Sequence, residues 1–199
     1  MWKFDKSVNS KSDFIHAPST QVCFWGRSNV GKSSLINSIT GQNISFVSKN
    51  PGRTKMVNYF KDNNDKYLVD LPGYGYAKMS KNELNHMMNL TLSYLNSNQC
   101  PKHLFLLIDS RTGITKIDFE MINLINSHLL NLTASLVYTK SDKLNQKERA
   151  ALIKQHNQYI DQSILNKFES VFFVSSKTGR GMEDLVIEIE NILYEDNNN

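Results

Sequence analysis

Residues 26 to 34 read Gly26-Arg27-Ser28-Asn29-Val30-Gly31-Lys32-Ser33-Ser34, and the rest of the chain is most easily understood from there. The spacing G-x-x-x-x-G-K-[ST] has a mechanical meaning: Gly26 and Gly31 let the backbone curl until successive N–H groups point inward at a polyphosphate. Val22-Cys23-Phe24-Trp25 ahead of it reads as a buried strand, and Leu35, Ile36 and Ile39 behind it carry helical spacing. A helix opening near Lys32 brings its positive dipole end to the same place. Lys32 is then a point charge for the β- and γ-phosphates, and the Ser33 hydroxyl is one ligand of a Mg²⁺ that bridges them. Strand, loop and helix together predict an Mg-nucleotide site.

Downstream, Gln42 to Lys55 shows neither helical nor alternating periodicity and contains Pro51-Gly52, so it is expected as a loop. Met56 to Lys61 and Lys66 to Leu71 suit two antiparallel strands joined by a tight turn at Asp62-Asn63-Asn64-Asp65. Ser80 and Glu83 form a capping box for a helix with Leu84, Met87, Met88, Thr91 and Leu95 on one face. Then strand and helix alternate: His103 to Asp109, Asp118 to Leu129, Thr133 to Thr139, Gln146 to Tyr159, Ser170 to Ser175, Met182 to Tyr194. Such βα alternation predicts a three-layer α/β fold, a largely parallel sheet with helices on both faces.

A chain of 199 residues with 40% hydrophobic content suits one domain of this kind. We expect the domain over 21–194, with an N-terminal arm over 1–20 and a frayed tail over 195–199. Met1 to Asp13 has no apolar core of a secretory signal, and the longest apolar run, Leu104 to Ile108, is too short to cross a membrane. Two cysteines, Cys23 and Cys100, with no metal-binding spacing suggest reduced thiols in the cytoplasm. The net charge of +4 is compatible with a polyanionic partner but equally with an ordinary surface.

Four further motifs narrow the nucleotide. Asp70-Leu71-Pro72-Gly73 closes the third apolar strand, where the acid can hold Mg²⁺ through water and the glycine N–H can meet the γ-phosphate. Thr54, within Pro51-Gly52-Arg53-Thr54-Lys55-Met56, can complete the Mg²⁺ shell only while the γ-phosphate is present, which makes that loop a switch; a plain turn hydroxyl is the alternative. Thr139-Lys140-Ser141-Asp142 follows a core strand, at the sheet end where such folds bind ligands. Asp142 can accept from guanine N1–H and N2–H₂, whereas adenine offers an acceptor at N1, and the Lys140 stem can cover the base plane. At the next strand end Ser175-Ser176-Lys177 supplies N–H groups for guanine O6.

With these residues in view, the chain resembles the translation-factor-type P-loop GTPases. More narrowly it resembles the EngB family of bacterial ribosome-biogenesis GTP-binding proteins, through GRSNVGKSSLIN, NPGRTKMVNYF, DLPGYGYAK, TKSDK, SSKTG and LLIDSRTGITKIDFEMI around Asp109 and Asp118. The resemblance covers about residues 20 to 194. It implies a six-stranded mixed sheet with one antiparallel strand, GTP or GDP with Mg²⁺ as ligands, and GTP hydrolysis. It also implies a role in maturation of the large ribosomal subunit, with cell division and septation depending on it. By matching position, Gly26 to Ser33 bind phosphate, Lys32, Thr54 and Gly73 serve catalysis, and Ser33, Thr54 and, through water, Asp70 hold Mg²⁺. Gly52, Arg53, Thr54, Lys55 and Met56 line the switch, Asp70 to Gly73 meet the γ-phosphate side, and Thr139 to Asp142 with Val174, Ser175 and Ser176 read guanine.

Two positions depart from the broad GTPase pattern. Thr139 stands where asparagine is usual, a change familiar in the EngB family, which leaves open how that corner of the pocket is tied to the phosphate loop. Tyr74 stands where signalling GTPases place a water-orienting glutamine, so intrinsic hydrolysis is expected to be slow, on the order of 10⁻³ s⁻¹ or less. Acceleration then falls to a partner, to Arg53 in cis, or to a K⁺ held by the Asn29 amide oxygen, with a structural role for that amide the alternative. Lys49, Arg53, Lys55, Lys78 and Lys81 flank the two switches and can meet rRNA phosphates, or form a solvated basic rim. Partners expected are GTP and the large subunit or its precursor, with its rRNA and ribosomal proteins, and not a membrane; a monomer is expected. The competing readings are a GTP-regulated effector-binding module in septation without ribosome contact, and an ATP-using P-loop kinase, against which Asp142 argues.

Overall fold

The computed structural model describes residues 1–45, 55–76, 79–129 and 131–194. The expected tail over 195–199 lies outside the described residues. The strands are β1 (Lys3–Val8), β2 (Gln21–Gly26), β3 (Val57–Lys61), β4 (Tyr67–Asp70), β5 (Lys102–Asp109), β6 (Thr133–Thr139) and β7 (Phe168–Phe173). The helices are α1 (Lys32–Thr40), α2 (Lys81–Leu95), α3 (Lys116–His128), α4 (Gln146–Asp161) and α5 (Met182–Tyr194). One sheet of 7 strands runs in the order β1-β3-β4-β2-β5-β6-β7. β4, β2, β5, β6 and β7 pair in parallel, while β3 is antiparallel to both β4 and β1.

β2 shows why the sheet must be covered on both sides. All of its residues are buried, and successive side chains go to opposite faces. Val22 and Phe24 join Leu35 and Ile36 of α1 and Leu185 and Ile189 of α5, whereas Cys23 and Trp25 join Leu90 and Tyr94 of α2 and Ile122 and Ile125 of α3. Leu152 of α4 belongs to the second cluster, so the layers are α1 and α5, sheet, then α2, α3 and α4. Among the described residues no helix is long and apolar enough to cross a membrane.

The three-layer α/β class agrees with the sequence reading, but the sheet has 7 strands where six were expected. The extra one is β1, inside the segment read as an arm. Its first four residues are exposed, because an edge strand beside a solvated turn has no face to bury until Ser7 and Val8. Hydrophobic alternation is therefore missing, and what places it is pairing: Lys3 opposite Lys61, Val8 opposite Val57. Phe14 and Ala17 then enter the core, Phe14 edge-on to Tyr94 at 5.3 Å. The predicted hairpin is present, with Asp62 Oδ1 accepting from the N–H groups of Asn64 and Lys66, both at 2.8 Å. β7 ends two residues earlier than expected, which frees Val174 and Ser175 for the loop beyond.

Candidate nucleotide-binding site

The carboxyl ends of β2, β4, β5 and β6 converge, and the loops leaving them carry the expected site residues. At Gly26 a Cβ would lie 2.9 Å from both Cβ and the carbonyl oxygen of Leu107, so only glycine lets β2 turn into the loop beside β5. Gly31 has φ +107, a conformation that side chains resist. Asn29 has φ 63, and asparagine is one of the few other residues that tolerates it. Arg27, Ser28 and Asn29 are at least partly exposed, Val30 is buried, and Ser33 stands half-buried in the first turn of α1.

Lys32 is buried at the start of α1, and its ammonium donates to Asp70 Oδ1. Asp70 is the last residue of β4, opposite Phe24 of β2, and 1% exposed. The chain next makes Leu71 N–H to Phe24 O (3.0 Å), and Trp25 Nε1–H to Pro72 O (2.9 Å), which seats Gly73 on the rim of the loop. The predicted phosphate and γ-phosphate residues are thus brought together with Ser33 and Asp70 of the expected metal set, whose third member, Thr54, lies outside the described residues. Lys55 and Met56 are exposed, with the Lys55 ammonium 2.9 Å from Glu83 Oε1. Gly52, Arg53 and Thr54, and Lys49 and Lys78 of the basic rim, lie outside the described residues.

At the end expected to read the base, the Thr139 hydroxyl donates to Val30 O at 2.6 Å, with Ile108 O farther at 3.2 Å. This is how the corner is tied to the phosphate loop without an asparagine. Lys140 has φ 57 and sends its ammonium to Asn29 O (2.6 Å) and Asp109 Oδ2 (2.8 Å). Its stem passes over Gly31, whose hypothetical Cβ would lie 3.5 Å from Lys140 Cε. Burial alone would raise the Asp109 carboxyl, but hydrogen bonds from Arg111 and Lys140 outweigh it and bring it to about 2. Asp142 accepts from Ser175 Oγ at 2.7 Å, and that bond holds its carboxyl below the usual range.

Ser175 is fully buried, and its own N–H donates to Arg180 O at 2.9 Å. Its side chain therefore orients Asp142, and the outward-facing N–H expected from this loop is left to Ser176. Ser141 N–H to Val174 O (3.0 Å) and Val174 N–H to Tyr138 O (2.8 Å) stitch the loops after β6 and β7 together. The Ser141 hydroxyl is buried with no hydrogen-bond partner among the described residues. Tyr74 lies 3% exposed, edge-on to Trp25 at 5.3 Å, its hydroxyl on Asp118 rather than at the phosphate loop. Asp118 had no assigned role in the sequence beyond marking the LLIDSRTGITKIDFEMI stretch; its local signal was a place three residues after Thr115, where the pair caps α3.

Residues 21–140 match the family described as "50S ribosome-binding GTPase". A protein of Mycoplasmopsis agalactiae named "Probable GTP-binding protein EngB" is 50% identical over 98% of this chain and 99% of its own length. The chain belongs to the EngB family of GTPases. A Thermotoga petrophila EngB of the same description is 38% identical over 96% of this chain and 95% of its own. Among solved structures, a probable GTP-binding protein EngB superposes with TM-score 0.62 at 22% identity, covering 88% of this chain and 99% of that one. Aquifex aeolicus Era bound to GDP·AlF₄⁻ reaches TM-score 0.67 at 23% identity over 88% of this chain and 57% of its own, a likeness of fold.

Proposed function

We propose that this EngB-family GTPase is a switch acting in assembly of the bacterial large ribosomal subunit, in the cytoplasm, with cell division and septation depending on that work. The observation that carries the nucleotide part is the hydrogen-bonded frame from Asp142 through Ser175 and Val174 to Ser141, with Thr139 joined to Val30. It supports a reading in which the Asp142 carboxylate meets guanine while the loop around Val30 meets phosphate. The ribosomal part is supported by the description of the family matched over 21–140.

Mg²⁺ would be held by Ser33 and, through water, Asp70, with Thr54 joining from outside the described residues. Among the described residues no cluster of His, Cys, Asp and Glu could hold a metal unaided, and an ion bound mostly by phosphate oxygens and water needs none. When bound, Mg²⁺ neutralises phosphate charge. Lys32 and Asp70 neutralise each other in the structure. With Mg·GTP bound, Lys32 would face phosphate and Asp70 the hydrated metal, so neither buried charge would be stranded. Tyr74, with its hydroxyl buried, orients no attacking water, and intrinsic turnover stays on the order of 10⁻³ s⁻¹ or less. Loss of the γ-phosphate then removes what Thr54 and the Gly73 N–H would hold in common and releases the assembling particle.

The test is sedimentation of lysates depleted of this protein. Large-subunit precursors should accumulate, and an unchanged particle profile would sink the ribosomal reading. Association that requires GTP and weakens steeply above physiological salt supports direct contact with rRNA. K⁺ at Asn29 is checked separately by single-turnover hydrolysis in equal K⁺ and Na⁺: faster turnover in K⁺ is expected, and equal rates remove it.

A further inference from the structure

Asp118, fully buried in the first turn of α3, uses its two oxygens differently. Oδ2 accepts from the Thr115 N–H (2.9 Å) and hydroxyl (2.6 Å), which is the helix's own cap. Oδ1 does nothing for the helix. It accepts from the Tyr74 hydroxyl at 2.9 Å and lies 3.7 Å from Arg27 Nε, while another Arg27 nitrogen donates to the Thr112 hydroxyl at 2.8 Å. A buried carboxylate is tolerated only where such partners replace its hydration. Here they come from the two segments that would enclose the terminal phosphate: Arg27 is the second residue of the phosphate loop, and Tyr74 follows Gly73.

The backbone makes the same connection. Tyr74 N–H donates to Gly26 O (3.3 Å) and Ser28 N–H to Tyr74 O (2.9 Å), so a one-residue parallel bridge joins loop and turn. Gly73 is packed between the loop and Tyr76, its hypothetical Cβ 3.1 Å from Gly26 O and 2.9 Å from the Tyr76 hydroxyl. Burial, with the neighbouring Asp118 carboxylate, pushes the Tyr74 phenol well above its usual range, so it stays a donor across physiological pH.

We infer that Asp118 is a positioning residue for γ-phosphate recognition, acting through Tyr74 and Arg27 to hold the Gly73 N–H beside the phosphate loop. The inference rests on the Mg·GTP reading above. The position after Gly73 is given to anchoring instead of to water orientation, and nucleotide discrimination then depends on how firmly the turn is held. Only a triphosphate reaches Gly73. Loosening the anchor should therefore weaken triphosphate binding and leave diphosphate binding nearly alone.

Tyr74→Phe removes the hydroxyl and keeps the ring against Trp25, and Asp118→Asn keeps the shape while removing the charge that faces Arg27. Affinities of the full chain for GDP and for a non-hydrolysable GTP analogue, with Mg²⁺, are measured by titration calorimetry, alongside single-turnover GTP hydrolysis. Both variants should bind GDP within about twofold of wild type and the analogue about three- to tenfold more weakly, with hydrolysis slowed by a similar factor. The double variant should be no worse than Asp118→Asn alone, because both changes act on one contact. Equal losses for GDP and analogue, the mark of a structural contact, overturn the inference, and so does no loss for either. Tyr74→Phe carries the decision if Asp118→Asn does not purify. A wild-type protein that binds neither nucleotide overturns the Mg·GTP reading instead.

Discussion

Thr139, the last residue of β6, and Asp142 are three residues apart, yet their side chains serve opposite ends of the site. The Thr139 hydroxyl, 3% exposed, satisfies Val30 O inside the phosphate loop. Thr139→Val, nearly the same shape, leaves that carbonyl without its partner and should lower stability by about 1–3 kcal/mol. Denaturant titration reads this, and the affinity for GTP and GDP should fall together because the loop itself is loosened. Asp142→Asn instead keeps an acceptor for the Ser175 hydroxyl but brings an amide to a base that offers two N–H donors. We expect at least about a hundredfold loss of GTP affinity, with xanthine nucleotides, which carry a carbonyl in place of the 2-amino group, binding better than to wild type; competition titration with both nucleotides measures it. Such one-residue chemistry is legible from type and spacing. The role of Ser175 was not, because whether a buried serine offers its N–H or its hydroxyl depends on the Arg180 carbonyl, which the turn brings back to it.

Elements of strong period were readable from the chain, and those whose order comes from partners were not. β2, β5 and β6 are continuous apolar runs, and α2 opens at the Ser80 and Glu83 capping box that the sequence shows. β1 carries no such pattern, and α3 starts at Lys116 because Thr115 caps it, two residues before the acid from which it was read. The end of β5 illustrates a pairing that no periodicity encodes: Asp109 faces Lys140 from the end of β6 and Arg111 from its own loop. Its carboxyl lies at about 2, below the ordinary 3.8, so the folded state favours the charged form. The stability from this contact is complete above the unfolded value and disappears as pH falls from about 4 through about 2. Asp109→Asn should remove that part of the acid slope, so wild-type and variant unfolding curves converge at low pH and separate near neutrality. Curves that stay parallel from pH 6 to 2.5 would refute it.

At the scale of the whole molecule, the sheet separates stability from recognition. β1 stands at one edge, with β3 and β4 between it and β2, and covers Val57 and Tyr59 with Val8 and the residues that follow it. Removing residues 1–8 should cost at least the burial of Val8, about 1.5–3 kcal/mol, and leave the edge of β3 open to self-association. Calorimetric melting and light scattering would register both, while GDP affinity should stay within about twofold. The central position of β2 has another consequence, for the chain during synthesis. Gln21 pairs on one side with Tyr67 and on the other with Lys102, so the strand that ends in the phosphate loop has no second neighbour until β5 has been made. Nucleotide competence thus arrives late and all at once, after long-range pairing that is intrinsically slow. From that moment a guanine nucleotide at a hundred times its dissociation constant adds about 2.7 kcal/mol to the native state, and the cell's guanine-nucleotide pool becomes a folding ligand for the newly completed chain.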